Sequence, residues 1–172
     1  MGVSVFENCT SLTNVTLGNM IIGASQFKGC TGMIAFTVPA QINSIGESAF
    51  MNCSNLTVIT YNAENCTLMG SYDNPVFGGS TSITQFYIGA SVNTIANYAF
   101  KNCGSVTEIH AAPANAPLFT GFDTQYGFTD IAQSIPVYVP CDRSSYYQNA
   151  TCWNHFSNYI EDYPYLVIVT TN

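Results

Sequence analysis

One short template recurs five times and restricts the chain to very few architectures. Phe50-Met-Asn-Cys53 is followed by Leu56, Ile59 and Tyr61, and the same spacing links Phe6-Glu-Asn-Cys9 to Leu12, Val15 and Leu17. Phe27-Lys-Gly-Cys30 leads to Met33, Phe36 and Val38, and Phe77-Gly-Gly-Ser80 to Ile83, Phe86 and Ile88. Phe100-Lys-Asn-Cys103 leads to Val106, Ile109 and Ala111. The phenylalanines are 21, 23, 27 and 23 residues apart. Periods in this range mark stacked supersecondary units, each too small to bury its own apolar face.

Within a unit, Val58 and Thr60 alternate with Ile59 and Tyr61, the period of a short half-buried strand. The same alternation occurs at Asn14–Leu17, Ala35–Val38, Gln85–Ile88 and Glu108–Ala111. Neighbouring copies are predicted to pair as a parallel sheet with strands about 4.8 Å apart. The return half also repeats: Ile45-Gly-Glu-Ser-Ala-Phe50 matches Ile22 to Phe27 and Ile95 to Phe100, with Ile42 and Val92 as further inward positions. Its apolar spacing predicts a single helical or 3₁₀ turn. Asn or Gly before the Cys fits a left-handed backbone, which these residues tolerate best.

Seven cysteines are present, and Cys9, Cys30, Cys53 and Cys103 share one template position that Ser80 fills in the fourth copy. They read as reduced, buried thiols stacked along the core, with a disulfide between adjacent rungs as the alternative. The close pairs that zinc requires are missing from this spacing.

The third unit is longer by four residues, an insertion at 62–76 on the return side. It reads as a surface insertion or as a loop contacting a ligand. After Ala111 the template stops. Ala112–Pro117 suits extended or turn structure, and a stretch with Phe119, Phe122 and Phe128 follows. Ile135–Pro140 then alternates like an edge strand carrying Pro136 and Pro140. Asp142–Ala150 and Trp153–Ile160 read as helical, with Asp142 as N-cap and Tyr146, Trp153, Phe156 and Ile160 near one face. The predicted organisation is five repeats over 1–112, the first partial, and a capping unit over 113–163. A tail over 164–172 follows, its Tyr165–Val169 run read as the first strand of a following domain. The chain opens partway through a repeat and reads as a piece of something longer.

Composition removes several functions. Only 8% of residues are charged, and three Lys plus Arg stand against ten Asp plus Glu, a net charge of −7. Three scattered cations make no track for nucleic acid or an anionic membrane surface. No apolar run approaches the roughly 20 residues that span a bilayer. His110 and His155 are the two imidazoles, no nucleophile sits at a recognisable elbow, and no Asp-rich calcium loop occurs. No catalytic residue, cofactor or metal is expected.

The stretch Ile45-Gly-Glu-Ser-Ala-Phe50-Met-Asn-Cys53-Ser-Asn-Leu56-Thr-Val-Ile59, with its near copy from Ile95 to Ile109, resembles the BspA-like leucine-rich repeats of bacterial surface proteins. Val137-Tyr-Val-Pro140-Cys141, Trp153, Phe156 and Ile160 resemble that family's C-terminal unit. Departures are Val38-Pro39 in place of Leu-Pro, the stretched third unit and a first copy shortened by two residues. The resemblance implies a leucine-rich-repeat solenoid with short parallel β-strands on its concave face, irregular or short-helical return segments and a small α-helical C-terminal cap. It also implies a secreted or cell-surface location and adhesion to a host or neighbouring-cell protein or glycan, with no catalytic residues. Outward strand residues would form two columns on the concave face. One is Asn14, Ala35, Val58, Gln85 and Glu108; the other is Thr16, Thr37, Thr60, Tyr87 and His110, continuing to Tyr138. Of these, Thr16, Thr37, Val58, Thr60, Gln85, Tyr87, Glu108, His110 and Tyr138 are the expected ligand contacts. In an exported protein, a disulfide between Cys141 and Cys152 would staple the cap. Six Asn-x-Ser/Thr sequons, at Asn8, Asn14, Asn52, Asn55, Asn65 and Asn149, are explained by repeat composition without glycosylation. The alternative function is a structural spacer that displays neighbouring domains and has no ligand of its own.

Overall fold

The computed structural model describes residues 2–18, 20–120 and 127–162. The alternation becomes a ladder: β2 (Ala35–Val38), β4 (Val58–Tyr61), β6 (Gln85–Ile88), β8 (Glu108–Ala111), β10 (Pro136–Val139) and β11 (Asn158–Glu161) form one six-stranded sheet, each strand parallel to the next. Register is in phase throughout, with Phe36, Ile59, Phe86, Ile109 and Val137 side by side and Thr37, Thr60, Tyr87, His110 and Tyr138 beside them. In β2, β4, β6, β8 and β10 the first set is buried and the second lies on the open face. A one-residue slip would bring Thr60, Tyr87 and His110 into the core, so burial itself holds the register.

The return half is not helical. Ile21–Ile22 (β1), Ser44–Ile45 (β3) and Leu68–Met69 (β5) form a second parallel ladder, and Thr94–Ala96 (β7) pairs with Leu118–Thr120 (β9). A helical turn would aim its N–H groups along its own axis. Here Phe27 N–H instead donates to the Ala49 carbonyl at 2.8 Å and Phe50 N–H to the Val76 carbonyl at 2.9 Å, across to the next rung. Three of these turns take positive φ at two residues to make this possible: Ser25 and Gly29, then Ser48 and Asn52, then Tyr98 and Asn102. The residue before the Cys is left-handed in every template copy, as expected (Asn8, Gly29, Asn52, Gly79, Asn102).

The phenylalanines form the spine of the core. Phe6, Phe27, Phe50 and Phe77 stack in turn with centroids 5.5, 5.2 and 5.7 Å apart. Phe86 then fits between Phe77 and Phe100, and Phe100 stacks on Phe128 at 5.2 Å. Phe128 therefore heads a rung that the template missed, because Asp130 and Ile131 stand where Asn and Cys would be. Ile131, Val137 and Val139 are buried at the matching positions, and Asp130 Oδ2 accepts the Asn102 N–H at 2.8 Å.

Other expectations need correction. Asn14–Leu17 is not a strand, so the sheet begins at β2; the first copy has two residues fewer with which to close its turn. The 62–76 insertion is not merely surface: Ala63, Cys66, Met69 and Val76 are core, while Tyr72, Asp73 and Asn74 bulge outward. β10 is not an edge strand, since β11 pairs outside it; Pro136 is tolerated as the strand's first residue. Trp153–Ile160 is a 3₁₀ turn (Trp153–His155) followed by β11, not one helix. Helix α1 (Ser144–Gln148) is short, and Asp142 does not cap it. Glu161 ties down its entry instead, its carboxylate oxygens accepting from the Ser144 N–H of the helix and from the Asp142 N–H just before it, at 3.0 Å each.

The C-terminal unit supplies donors that the proline segment lacks. Tyr147 Oη–H donates to the Pro113 carbonyl at 2.7 Å and Trp153 Nε1–H to the Pro117 carbonyl at 2.9 Å, both buried. Phe122 and the Tyr165–Val169 run lie outside the described residues.

Candidate functional surface

The open face is built by the odd positions of the strands. Residue size splits it in two. Over β2 and β4 it carries Ala35, Thr37, Val58 and Thr60, short side chains that leave a low floor. Over β6, β8 and β10 it rises into a wall of three parallel rings. Tyr87 and His110 have centroids 4.5 Å apart at 11°, and His110 and Tyr138 are again 4.5 Å apart at 10°. The separation follows from the strand spacing: flat rings on in-register neighbours about 4.8 Å apart have little choice but to stack.

Beside the stack, one carboxylate oxygen serves two strands. Glu108 Oε1 accepts from Gln85 Nε2 at 2.6 Å and lies 3.2 Å from His110 Nε2. Burial, and then the Glu108 charge, raise the Tyr87 phenol above the ordinary tyrosine range. Gln85, Tyr87, Glu108 and His110 thus form one connected unit whose side chains hold each other in place.

The structure gathers Val58, Thr60, Gln85, Tyr87, Glu108, His110 and Tyr138 on one surface, with Thr37 beside them at the N-terminal end. Thr16 is exposed but lies outside the sheet, because its segment forms no strand. The column also continues past Tyr138 to Ile160 on β11, 37% exposed. The outward position of Ile160 was hidden by reading its segment as helix.

The cysteine column is as expected over most of its length. Cys30 Sγ–H donates to the Phe6 carbonyl at 3.0 Å, Cys53 Sγ–H to Phe27 at 3.1 Å, and Ser80 supplies the same bond to Phe50 at 2.6 Å. Cys30, Cys53 and Cys103 are buried, whereas Cys9, on the first rung, is exposed. The Cys141–Cys152 disulfide is not formed. Both are free thiols, Cys141 exposed beside Glu161 and Cys152 turned into the core. The cap is held instead by the Tyr147, Trp153 and Glu161 hydrogen bonds.

A family model described as BspA type Leucine rich repeat region matches residues 1–116 in six copies. The chain belongs to the BspA-type leucine-rich repeat family. No curated protein matches the sequence. As a BspA-type array the molecule is a leucine-rich-repeat solenoid with a short C-terminal helix, and its leucine positions are filled by Met33, Leu56, Ile83 and Val106, all buried. Among the described residues no helix is long and apolar enough to cross a membrane.

Proposed function

We propose that this BspA-type array is a non-enzymatic recognition module, secreted or held at a cell surface, that grips a protein partner through the open face of its sheet. The observation that carries the reading is the Tyr87–His110–Tyr138 stack with Glu108 at its side. Three rings already locked against each other lose little side-chain freedom on binding, which is what makes aromatic anchors effective. Their faces are largely taken up by one another. A partner therefore meets ring edges, phenol hydroxyls and a carboxylate, with the Ala35–Thr60 floor beside them. Edges and hydroxyls suit the mixed apolar and polar surface of a protein better than the flat face of a sugar.

Support for an exported location comes from the resemblance to bacterial surface proteins and from a surface kept soluble by uncharged polar groups. Support for a non-catalytic role is that the family brings no catalytic residues. In addition, the grooves around Ala90, Asn93, Pro113 and Asn115 run along the loops after the strands, away from Glu108 and His110.

The test compares wild type with the triple variant Tyr87→Ala, His110→Ala and Tyr138→Ala on immobilised matrix proteins, cell-surface proteins, glycans and whole cells. Binding to a protein by wild type, weakened at least about tenfold in the variant, is expected. Equal binding by the variant refutes the site. Wild type that binds nothing, while a longer chain does, favours the spacer reading.

A further inference from the structure

The first outward column of the open face runs from apolar to acidic. Ala35, Val58, Gln85 and Glu108 lie side by side in register on β2, β4, β6 and β8. Ala35 and Val58 offer only carbon, and Glu108 is the one carboxylate among the outward residues of β2, β4, β6, β8 and β10. No basic side chain of the chain answers it. There are three Lys plus Arg in all, and each is engaged elsewhere. Lys28 pairs with Glu7 at 3.1 Å, Lys101 lies 3.9 Å from Asp130 and 4.3 Å over the Tyr72 ring, and Arg143 sits 5.0 Å over the Tyr146 ring.

What the pair of Gln85 and Glu108 leaves open is mostly acceptor. Glu108 Oε1 takes the Gln85 Nε2 donor at 2.6 Å and lies 3.2 Å from His110 Nε2. Among the described residues nothing donates to Glu108 Oε2, or to Gln85 Oε1, and the Glu108 side chain is 25% exposed. A carboxylate three-quarters covered attracts an opposite charge more strongly than one fully in water, and salt screens it less. Gln85 and His110 also hold it in place, so it loses little freedom when a partner arrives.

We propose that the partner gripped by the open face docks a basic side chain, arginine before lysine, on Glu108. The proposal rests on the reading of this face as the recognition surface and adds the chemistry of the contact. A guanidinium presents several N–H donors in one plane and can serve Glu108 and the Gln85 carbonyl together, where an ammonium is a single point charge. The aliphatic stem of such a residue has Val58 and Ala35 to lie on, next along the same column. An acidic segment would meet Glu108 and a chain of net charge −7, both repelling it.

The experiment selects short random peptides displayed on phage against wild type, at about pH 8, above the range in which imidazole takes up a proton. The tightest peptide is then synthesised with its arginine and with citrulline, which keeps the shape and loses the charge. Both are titrated into wild type, Glu108→Gln and the triple variant Tyr87→Ala, His110→Ala and Tyr138→Ala. Wild type should enrich arginine, and lysine less. Citrulline should weaken binding to wild type about tenfold, and Glu108→Gln should weaken the arginine peptide as much, with little change in Tm because an amide oxygen still accepts from Gln85. Added salt should weaken wild type more than Glu108→Gln. Equal binding of the arginine peptide by Glu108→Gln, or of both peptides by wild type, overturns the proposal; weak binding by the triple variant in the same experiment leaves the recognition surface standing. Equal binding by the triple variant refutes that surface and the proposal with it. Enrichment of no peptide, or of peptides without a basic residue, overturns the proposal too.

Discussion

The Ser80 hydroxyl donates to the Phe50 carbonyl at 2.6 Å and accepts the Cys53 N–H at 2.9 Å, wholly inside the core. At Cys30 and Cys53 the thiol makes the equivalent bond to the Phe carbonyl of the preceding rung. Ser80→Ala leaves the buried Cys53 N–H and Phe50 carbonyl with only the long 3.4 Å bond between them and is expected to cost about 1–3 kcal/mol. Ser80→Cys should recover most of that loss. Urea unfolding of the two variants decides it; equal midpoints would show that the hydroxyl is dispensable.

Gly79 has φ +72, and a Cβ placed on it would run into Asn52 Oδ1 of the preceding rung. Gly79→Ala should therefore lose the left-handed penalty of about 1–2 kcal/mol plus the displacement of Asn52. Replacing Asn52 with Gly in the same chain should remove the second part. Gly18 has nothing within 4 Å of its Cβ position, so Gly18→Ala should stay within about 0.5 kcal/mol of wild type. Thermal melts of the four proteins check the order.

Glu161 is held below the ordinary glutamate value of 4.5 by hydrogen bonds from Ser144, and then from the Asp142 and Arg143 backbone. A carboxylate depressed in the folded state contributes stability that is complete above its unfolded value and lost as pH falls through the folded one. The C-terminal unit should therefore loosen as pH drops below about 4.5. Glu161→Gln should loosen it at neutral pH and flatten this part of the acid response. Amide exchange at α1 reports the effect; an acid profile identical to wild type would remove Glu161 from this role.

Thiol chemistry should follow burial. Cys9 and Cys141 are exposed, while Cys30, Cys53, Cys66, Cys103 and Cys152 are buried. Burial pushes the Cys53 thiol up to about 12 and raises Cys103 as well. Alkylation of native protein at about pH 8 should label Cys9 and Cys141 quickly and the others only on unfolding, since the thiolate is the reactive form. Rapid labelling of Cys53 would contradict the packing.

The repeat and the direction of its side chains were legible because both are local. Ile59 and Tyr61 alternate with Val58 and Thr60 within four residues, and stacking identical units can satisfy that alternation in only one register. The two outward columns could accordingly be read from β2 to β8, and the second on to Tyr138 in β10. Irregular units were not legible. Asp130-Ile131 conceals the rung headed by Phe128, and Asn158–Glu161 has the spacing of either a helix or a strand until β10 offers it an edge. The return turn was misread because its apolar spacing suits helix and ladder alike, and the choice depends on carbonyls one rung away.

The sequence by itself determined that this chain stacks, in which register, and which residues of the regular copies face the core, because a short period leaves each unit unable to fold alone. Tertiary structure decided what the surfaces carry. It closed Tyr87, His110 and Tyr138 into a stack, since three strands had to lie side by side before rings some 25 residues apart could touch. It also interrupted the return ladder at the insertion, beside which Asn97 Oδ1 and Thr120 Oγ1 are sealed from solvent without hydrogen-bond partners. Contacts made within a unit can be read along the chain; those made between units exist only once the rungs have stacked.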